Sequence, residues 1–403
     1  MKKIRIYPYK IILYFIIFDM ILGGSGNLIK IGPLSGRMIL LGIVLVYEFI
    51  ISYKKKIVID WATLTFLIYL IINYMLSLIN NNTGFEFTVF RGYATLITAP
   101  FFIYAFSHDK KLYIKIKEII CFFSVILALL SIILWLYCLI NGVGAYKIIE
   151  IHFLRKYNLG YLSYIGNIPR IYFKCSVFES ISLLFIFADI LSNKKNKKNI
   201  IIFLILTTAL IMTFTVGLLV FTMISIGMVF WVINKEKGIV KILFIGFVGI
   251  FICGIIYYRF GISEIFNQRF SGDYTFSYKF IQFRELVKEW IKRPILGMGV
   301  GHTLTIDYGY KIKVNEYNFE VMWMQLLMDT GIVGMGLYLS ILYKMLMRFK
   351  LFWIYNKNCI LLVYGVGVIF LCLLSFTNPY MNNTIGLTYT SLCLGIAYSN
   401  NSY

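Results

Sequence analysis

Charge is scarce in this sequence, and acid is scarcer than base. Only 14% of the 403 residues are charged, where a soluble domain carries about a quarter, so an ordinary soluble enzyme is excluded. Asp and Glu number 18 against 39 Lys and Arg, a formal charge of +21. In a soluble chain that surplus would point to nucleic acid, and here it has to be weighed against where the charges fall. Histidine is limited to His108, His152 and His302. The seven cysteines (Cys121, Cys138, Cys175, Cys253, Cys359, Cys372, Cys393) form no CxxC pair. A zinc site of standard spacing is therefore missing, no metal is expected, and the cysteines read as small apolar residues. A GxxxxGK[ST] phosphate loop is also lacking, which argues against a pump that hydrolyses ATP itself. No cofactor is implied.

Apolar residues are abundant, at 60% of the chain, and they are clustered. A helix needs about 20 mostly apolar residues to cross the hydrocarbon core. Twelve runs approach that length: 9–24, 38–53, 57–79, 90–106, 118–140, 176–192, 199–214, 216–233, 242–258, 319–346, 359–376 and 385–398. The seventh and last are short, so eleven spans or a re-entrant pair are alternatives. The first run is expected to stay, because no small-residue cleavage site follows it. The fold class is an all-α polytopic membrane protein of about 12 transmembrane helices, with residues 1–403 forming one integral membrane domain.

Lys and Arg accumulate in short cytoplasmic loops. With Met1 inside, 22 of the 39 basic residues fall on one side, from Lys2, Lys3 and Arg5 through Lys54–Lys56 and Lys194–Lys198 to Lys344, Arg348 and Lys357. Both termini are then cytoplasmic, in the cytoplasmic (inner) membrane. The surplus becomes a topology signal and requires no nucleic acid. Two enlarged outward loops remain, 141–175 and 259–318, where the orientation rule has little force. The second carries nine basic residues and six acids. Long connections in a compact protein tend to be functional, which makes these two loops the expected seat of activity.

In the second loop, RELVKEWIKRP reads as an amphipathic segment, with Leu286, Val287, Trp290 and Ile291 as a stripe against the membrane surface or the bundle. PILGMGVGH follows it. Gly297, Gly299 and Gly301 resemble a dinucleotide fingerprint only superficially, since no βαβ context surrounds them. They read as a tight, mobile turn, or as backbone N–H groups brought near an anion. Next comes EVMWMQLLMDTGIVGMGLYL. Helix packing is the account of Gly331, Gly334 and Gly336. Glu320 stands at the outer mouth of a span, and an ionisable group at membrane depth is by default a functional hypothesis. Asp19, Asp60 and Asp189 lie in or near spans and require partners or water.

The R-x-L-x-x-x-W near PILGMGVG and the following E-x-x-x-x-Q-L-L-x-D-T-G-I-V-G resemble the C-terminal signature of the O-antigen polymerase and ligase family. PRIYFKCSVFES is similar to that family's Arg-to-Glu stretch at the sixth span. The resemblance implies a GT-C-like membrane glycosyltransferase that joins undecaprenyl-diphosphate-linked oligosaccharides. Ligases resemble one another in a His-Asn pair five residues before the Gln, whereas polymerases more often show Glu-Ser. This chain has Glu320 and Val321, so it leans toward a polymerase of O-antigen or capsule and departs from both patterns at 321. A chain-length regulator is a possible partner by the same resemblance.

Such chemistry needs the departing diphosphate's charge stabilised, which suits arginine, and an acceptor hydroxyl oriented or deprotonated, which suits a carboxylate. Arg170, Arg284 and Glu320 are the catalytic candidates. Arg91, His302, Lys174 and Glu179 are candidates for binding substrate. Each arginine reads equally as a snorkelling interface anchor, Glu320 as the partner of a loop arginine, His302 as an exposed loop residue, and Glu179 as a carboxylate favoured at a helix start. A flippase of lipid-linked oligosaccharides is the rival class. It would call for charged groups along a central cavity and matching halves, and no such halves are legible.

Overall fold

The computed structural model describes residues 7–24, 30–31, 34–54, 60–80, 84–165, 168–192, 196–233, 274–308 and 314–399. Its first helices are α1 (Pro8–Ile21), α2 (Gly36–Lys54) and α3 (Trp61–Asn80). A broken rod follows, with α4 (Glu86–Ala94), a 3-10 turn at Thr95–Thr98 and α5 (Ala99–His108). Next come α6 (Leu112–Ile149), α7 (Val177–Ser192), α8 (Lys197–Met212) and α9 (Val216–Ile233). The last group is α10 (Tyr274–Lys292), α11 (Met322–Asn356), α12 (Cys359–Leu374) and α13 (Thr384–Ser399). Local signals fix several starts. Pro8 and Pro100 occupy first-turn positions, where a missing N–H costs nothing. The side chains of Asn196 and Asn358 accept from free N–H groups of α8 and α12, as good N-caps do.

Every apolar run coincides with a helix except 242–258, which lies outside the described residues. Among the described residues, six helical stretches are long and apolar enough to cross a membrane: Gly36–Tyr53, Trp61–Ile79, Glu86–His108, Leu112–Gly142, Val216–Ile233 and Met322–Asn356. Large apolar side chains also face outward, among them Phe49, Ile79 and Ile140 at 77–80% exposure. Water would penalise such a surface, and lipid would not. The chain is a multi-pass helical membrane protein.

Three departures from the expected layout matter. The fold is not purely helical, because three antiparallel hairpins pair β1 (Lys30–Ile31) with β2 (Leu34–Ser35), β3 (Gly160–Ile165) with β4 (Ile168–Phe173), and β5 (Leu304–Ile306) with β6 (Val314–Glu316). The first long loop does not begin as loop: α6 continues to Ile149 across a kink at Gly142, φ 67°. Glu320 does not begin a helix, since α11 starts at Met322.

These hairpins gather at one end of the bundle. β3–β4 is docked on α6 by Trp135 Nε1 donating to the Pro169 carbonyl at 2.7 Å and Tyr164 donating to the Cys138 carbonyl at 3.0 Å. The Tyr172 and Tyr380 hydroxyls bond to each other, tying that hairpin to the α12–α13 connection. Arg37, at the start of α2, donates to Asp19 near the end of α1 and to Thr384 at the start of α13, both at 2.7 Å. The opposite end is closed by Lys117 on Asp189 at 2.6 Å and Tyr398 on Asp60 at 2.7 Å. Asp19, Asp60 and Asp189 thus all have the partners that their depth requires. Between the ends the core is aromatic, with Tyr93, Phe101, Phe102, Tyr338, Tyr364 and Tyr389 fully buried.

Candidate active site at the hairpin end

Helix α10 supplies one wall. Lys279, Gln282 and Leu286 recur at helical spacing and so share a face. Leu286 anchors it, fully buried in a small cluster with Ile306, Phe319 and Met328. Two turns earlier, Lys279 Nζ lies 2.9 Å from Glu320 Oε2 and donates to the Thr377 carbonyl at 2.7 Å. Gln282 Oε1 accepts the Glu320 backbone N–H at 3.1 Å, so Glu320, two residues before α11, is held at two points. Glu320 keeps 43% of its side chain exposed. The expected ion-pair partner was a loop arginine, and it is this lysine instead.

Beside it, Glu316 is fully engaged. Tyr278 donates to one carboxylate oxygen at 2.7 Å, and Tyr308 and Gln282 donate to the other at 2.6 and 2.8 Å. The two phenol rings stack with centroids 4.3 Å apart. Burial, and then the Glu316 carboxylate, push the Tyr278 phenol up to about 12, and the same causes raise Tyr308 further. Both tyrosines therefore act as hydrogen-bond donors at neutral pH. Of the two carboxylates, Glu316 has both oxygens taken by the wall, and Glu320 is partly exposed.

The other candidates are distributed. Arg284 lies on the far face of α10, 56% exposed, with Nε 3.0 Å from Glu285 Oε1, and the structure does not bring it to Glu320. Lys288 and Arg284 together hold the Glu285 carboxyl below its usual range. Arg170, on β4, donates to the Thr213 carbonyl at 2.8 Å, the Thr215 hydroxyl at 3.2 Å and the Tyr161 hydroxyl at 2.9 Å. It staples the hairpin to the α8–α9 turn. Lys174 bonds to Asn158, and burial lowers its ammonium pKa. Arg91, on α4, contacts Met38 Sδ at 3.5 Å.

Two residues sit deeper than expected. Glu179 is fully buried in α7, which packs against α6, α8, α9 and α12. Its side chain has no accessible surface in this structure. Neither of its oxygens has a hydrogen-bond partner among the described residues, and the same holds for Asp329 in α11. His302 is not an exposed loop residue: its side chain is 17% exposed, with Nε2 3.8 Å from Glu289 Oε2. Burial pushes its imidazole pKa down.

The glycine turn is tied down by hydrogen bonds on both sides, and its amides do not face an open anion site. Gly297, Gly299 and Gly301 have φ of 80°, 103° and 81°, a region that only glycine adopts readily. The turn enters a break in α11, where Gly331 takes φ 67° and ψ −173°. Met298 N donates to the Met328 carbonyl at 2.8 Å and Gly299 N to that of Asp329 at 3.0 Å, while Ile332 N and Val333 N reach back to Pro294 and Ile295. From α3, Asn73 Oδ1 accepts Val300 N at 2.9 Å, and Ser77 donates to the Val300 carbonyl at 2.7 Å. Amides that could have cradled an anion are spent on protein oxygens. Close approach accounts for Gly331, which also needs its positive φ, since an added Cβ would stand 2.2 Å from the Ile295 carbonyl oxygen; at Gly336 packing fails as the account, because an added Cβ would meet nothing within 4 Å among the described residues. At Gly334 it holds, since an added Cβ would lie 2.8 Å from the Tyr69 ring.

Sequence reasoning missed Lys279, Gln282, Glu316 and Asn73 as parts of this arrangement. The first two were legible as the polar members of the α10 inner face. Asn73, a lone amide inside an apolar run, was the signal for the turn's docking site.

A multi-pass helical membrane protein with a charged, partly exposed carboxylate–lysine pair at the end where its loops gather is the class that these observations define. Residues 201–339 match the family model described as O-antigen ligase, a stretch that runs from α8 through the glycine turn and the Gly331 break. This agrees with the O-antigen polymerase and ligase family of membrane enzymes. No curated protein matches the chain.

Proposed function

We propose that the protein is a polysaccharide polymerase, of O-antigen or capsule, which joins undecaprenyl-diphosphate-linked repeat units on the outer face of the cytoplasmic membrane. In this reading it has about 12 spans, a GT-C-like architecture and both termini in the cytoplasm, so that the hairpin end faces outward. The observation that carries it is the Lys279–Glu320 pair, 2.9 Å apart and partly exposed at the start of α11.

Glycosyl transfer forms a bond from the acceptor hydroxyl oxygen to the anomeric carbon and breaks the bond from that carbon to the diphosphate. The hydroxyl proton must leave, and Glu320 is the accessible carboxylate placed to take it. The departing diphosphate gains negative charge, which Lys279 and Arg170 can balance from α10 and the β3–β4 hairpin. Arg284 would meet the lipid-linked diphosphate only on the outer side of α10. The polymerase is favoured over a ligase by Glu320 itself, in place of the ligase-like His. The ligase remains the second reading, favoured by the description of the matching family model.

The test is to delete the gene in its native host, complement with wild type or Glu320→Ala, and identify the accumulating intermediate and the membrane face that holds it. A polymerase variant leaves single repeat units on lipid at the outer face and no long chains. A normal chain-length ladder with Glu320→Ala overturns the role of that residue. Lipid-linked units stranded on the cytoplasmic face would instead identify a flippase, and preformed long chains left on the carrier a ligase.

A further inference from the structure

The outer face of α10 has no protein partner among the described residues, and its composition is specific. Phe280, Phe283 and Ile291 are 61%, 45% and 62% exposed, and just beyond the helix Ile295 and Leu296 are 63% and 52% exposed. At 100° per residue the three helical positions form one stripe. Along its edge run Arg284, Lys288 and Lys292, with side chains 56–60% exposed. Arg293 follows and is exposed as well. Glu285 and Glu289 pair with some of these cations, and four basic groups against two acids leave the edge positive.

The stripe is continuous with a surface that already faces lipid. Ile332 and Val333 of α11, 56% and 38% exposed, hydrogen-bond through their N–H groups to the Pro294 and Ile295 carbonyls. The Leu296 carbonyl accepts from Asn73 and Tyr69 of α3, both at 3.1 Å. Asn73 is seven residues from the end of α3 at Asn80, which at 1.5 Å per residue is about 10 Å. The chain after α10 therefore descends beside two spanning helices to membrane depth. Non-helical backbone survives there only when protein satisfies its polar groups, which is what Asn73, Ser77 and the broken α11 do.

We infer that α10 and the turn at 293–301 form a re-entrant element seated in the lipid–water interface. Phe280, Phe283, Ile291, Ile295 and Leu296 are immersed at the acyl boundary, and Arg284, Lys288, Lys292 and Arg293 contact the phosphate groups of anionic phospholipids. A helix with an apolar stripe and a basic edge has the composition for that position, and each basic residue near an anionic surface adds to the attraction. The inner face of the same helix holds Lys279 and Gln282 against Glu320, so the lipid contact sets the height of that pair above the bilayer. The inference rests on the chain being a membrane protein and stands whichever reaction the pair performs.

Photo-crosslinking in the intact protein tests it. Phe283→p-benzoylphenylalanine, Ile291→p-benzoylphenylalanine and Glu285→p-benzoylphenylalanine are each reconstituted in vesicles of phosphatidylethanolamine and phosphatidylglycerol, irradiated and analysed by mass spectrometry. Lipid adducts are expected at 283 and 291 and none at 285. Adducts to protein alone, or none, at both 283 and 291 overturn the seating. Adducts at 291 should be enriched in phosphatidylglycerol over its share of the vesicle, and the combined Arg284→Gln, Lys288→Gln, Lys292→Gln variant should lose that enrichment while melting like the wild type. Enrichment unchanged in a folded triple variant overturns the phosphate contact.

Discussion

Asn73 of α3 accepts a hydrogen bond from the buried backbone N–H of Val300 and donates to the carbonyl of Asp329, at 2.9 and 3.2 Å. One amide in a spanning helix thus joins the glycine turn to the broken α11. Asn73→Ala leaves the Val300 N–H without a partner, a cost of about 1–3 kcal/mol. The expected result is a lower melting temperature in nanodiscs, and an unchanged one would show that the bond is dispensable.

Gly331→Ala should be worse. The backbone there has φ 67° and ψ −173°, and an added Cβ would stand 2.2 Å from the Ile295 carbonyl oxygen. Backbone strain alone costs about 1–3 kcal/mol, before the clash moves the turn. Gly336→Ala is the control in the same helix, where an added Cβ meets nothing within 4 Å among the described residues, and it should be neutral or gain about 0.5–1 kcal/mol. Equal yields of folded protein from the two variants would contradict this account.

Acid should destabilise the loop after α10 through His302. Burial lowers the imidazole pKa in the folded state, so the unfolded chain binds a proton first as pH falls. Stability is therefore complete above the unfolded value of about 6.5 and declines as pH drops below it toward the folded value. His302→Gln should flatten that decline in melting temperature, and a decline of the same size in the variant would assign it to other groups.

Glu320→Gln removes the carboxylate and keeps its size. If it accepts the acceptor's proton, chain elongation by the reconstituted protein should fall by about 10²–10⁴-fold, with melting little changed because the group is partly exposed. Lys279→Met should reduce elongation less than Glu320→Gln does. Wild-type rates in Glu320→Gln would end the proton-acceptor assignment.

Much of the architecture was legible because crossing lipid is a one-dimensional constraint. Runs of apolar residues are read directly along the chain, and those in the described residues coincide with helices. The candidate site was legible only in its types. Glu320 was identifiable as a charge at the start of a span, but its partner was not, since Lys279 lies 41 positions earlier and meets it only because Leu286 packs into the cluster around Phe319. Arg284 carried the resemblance and turned out to lie on the opposite face, a matter of helical phase. The full burial of Glu179 depends on how helices distant in sequence pack around α7, which the chain does not spell out.

By itself the sequence determined that this chain is a multi-pass helical membrane protein and which of its apolar runs form helices in the described residues, because hydropathy acts through local composition. Only the tertiary structure decided that the glycine turn is locked into a broken helix and that Glu320 pairs with Lys279 while Glu316 is held by Tyr278, Tyr308 and Gln282. Both depend on hydrogen bonds between distant segments, whose partners are chosen by packing geometry and leave no periodic trace in the chain.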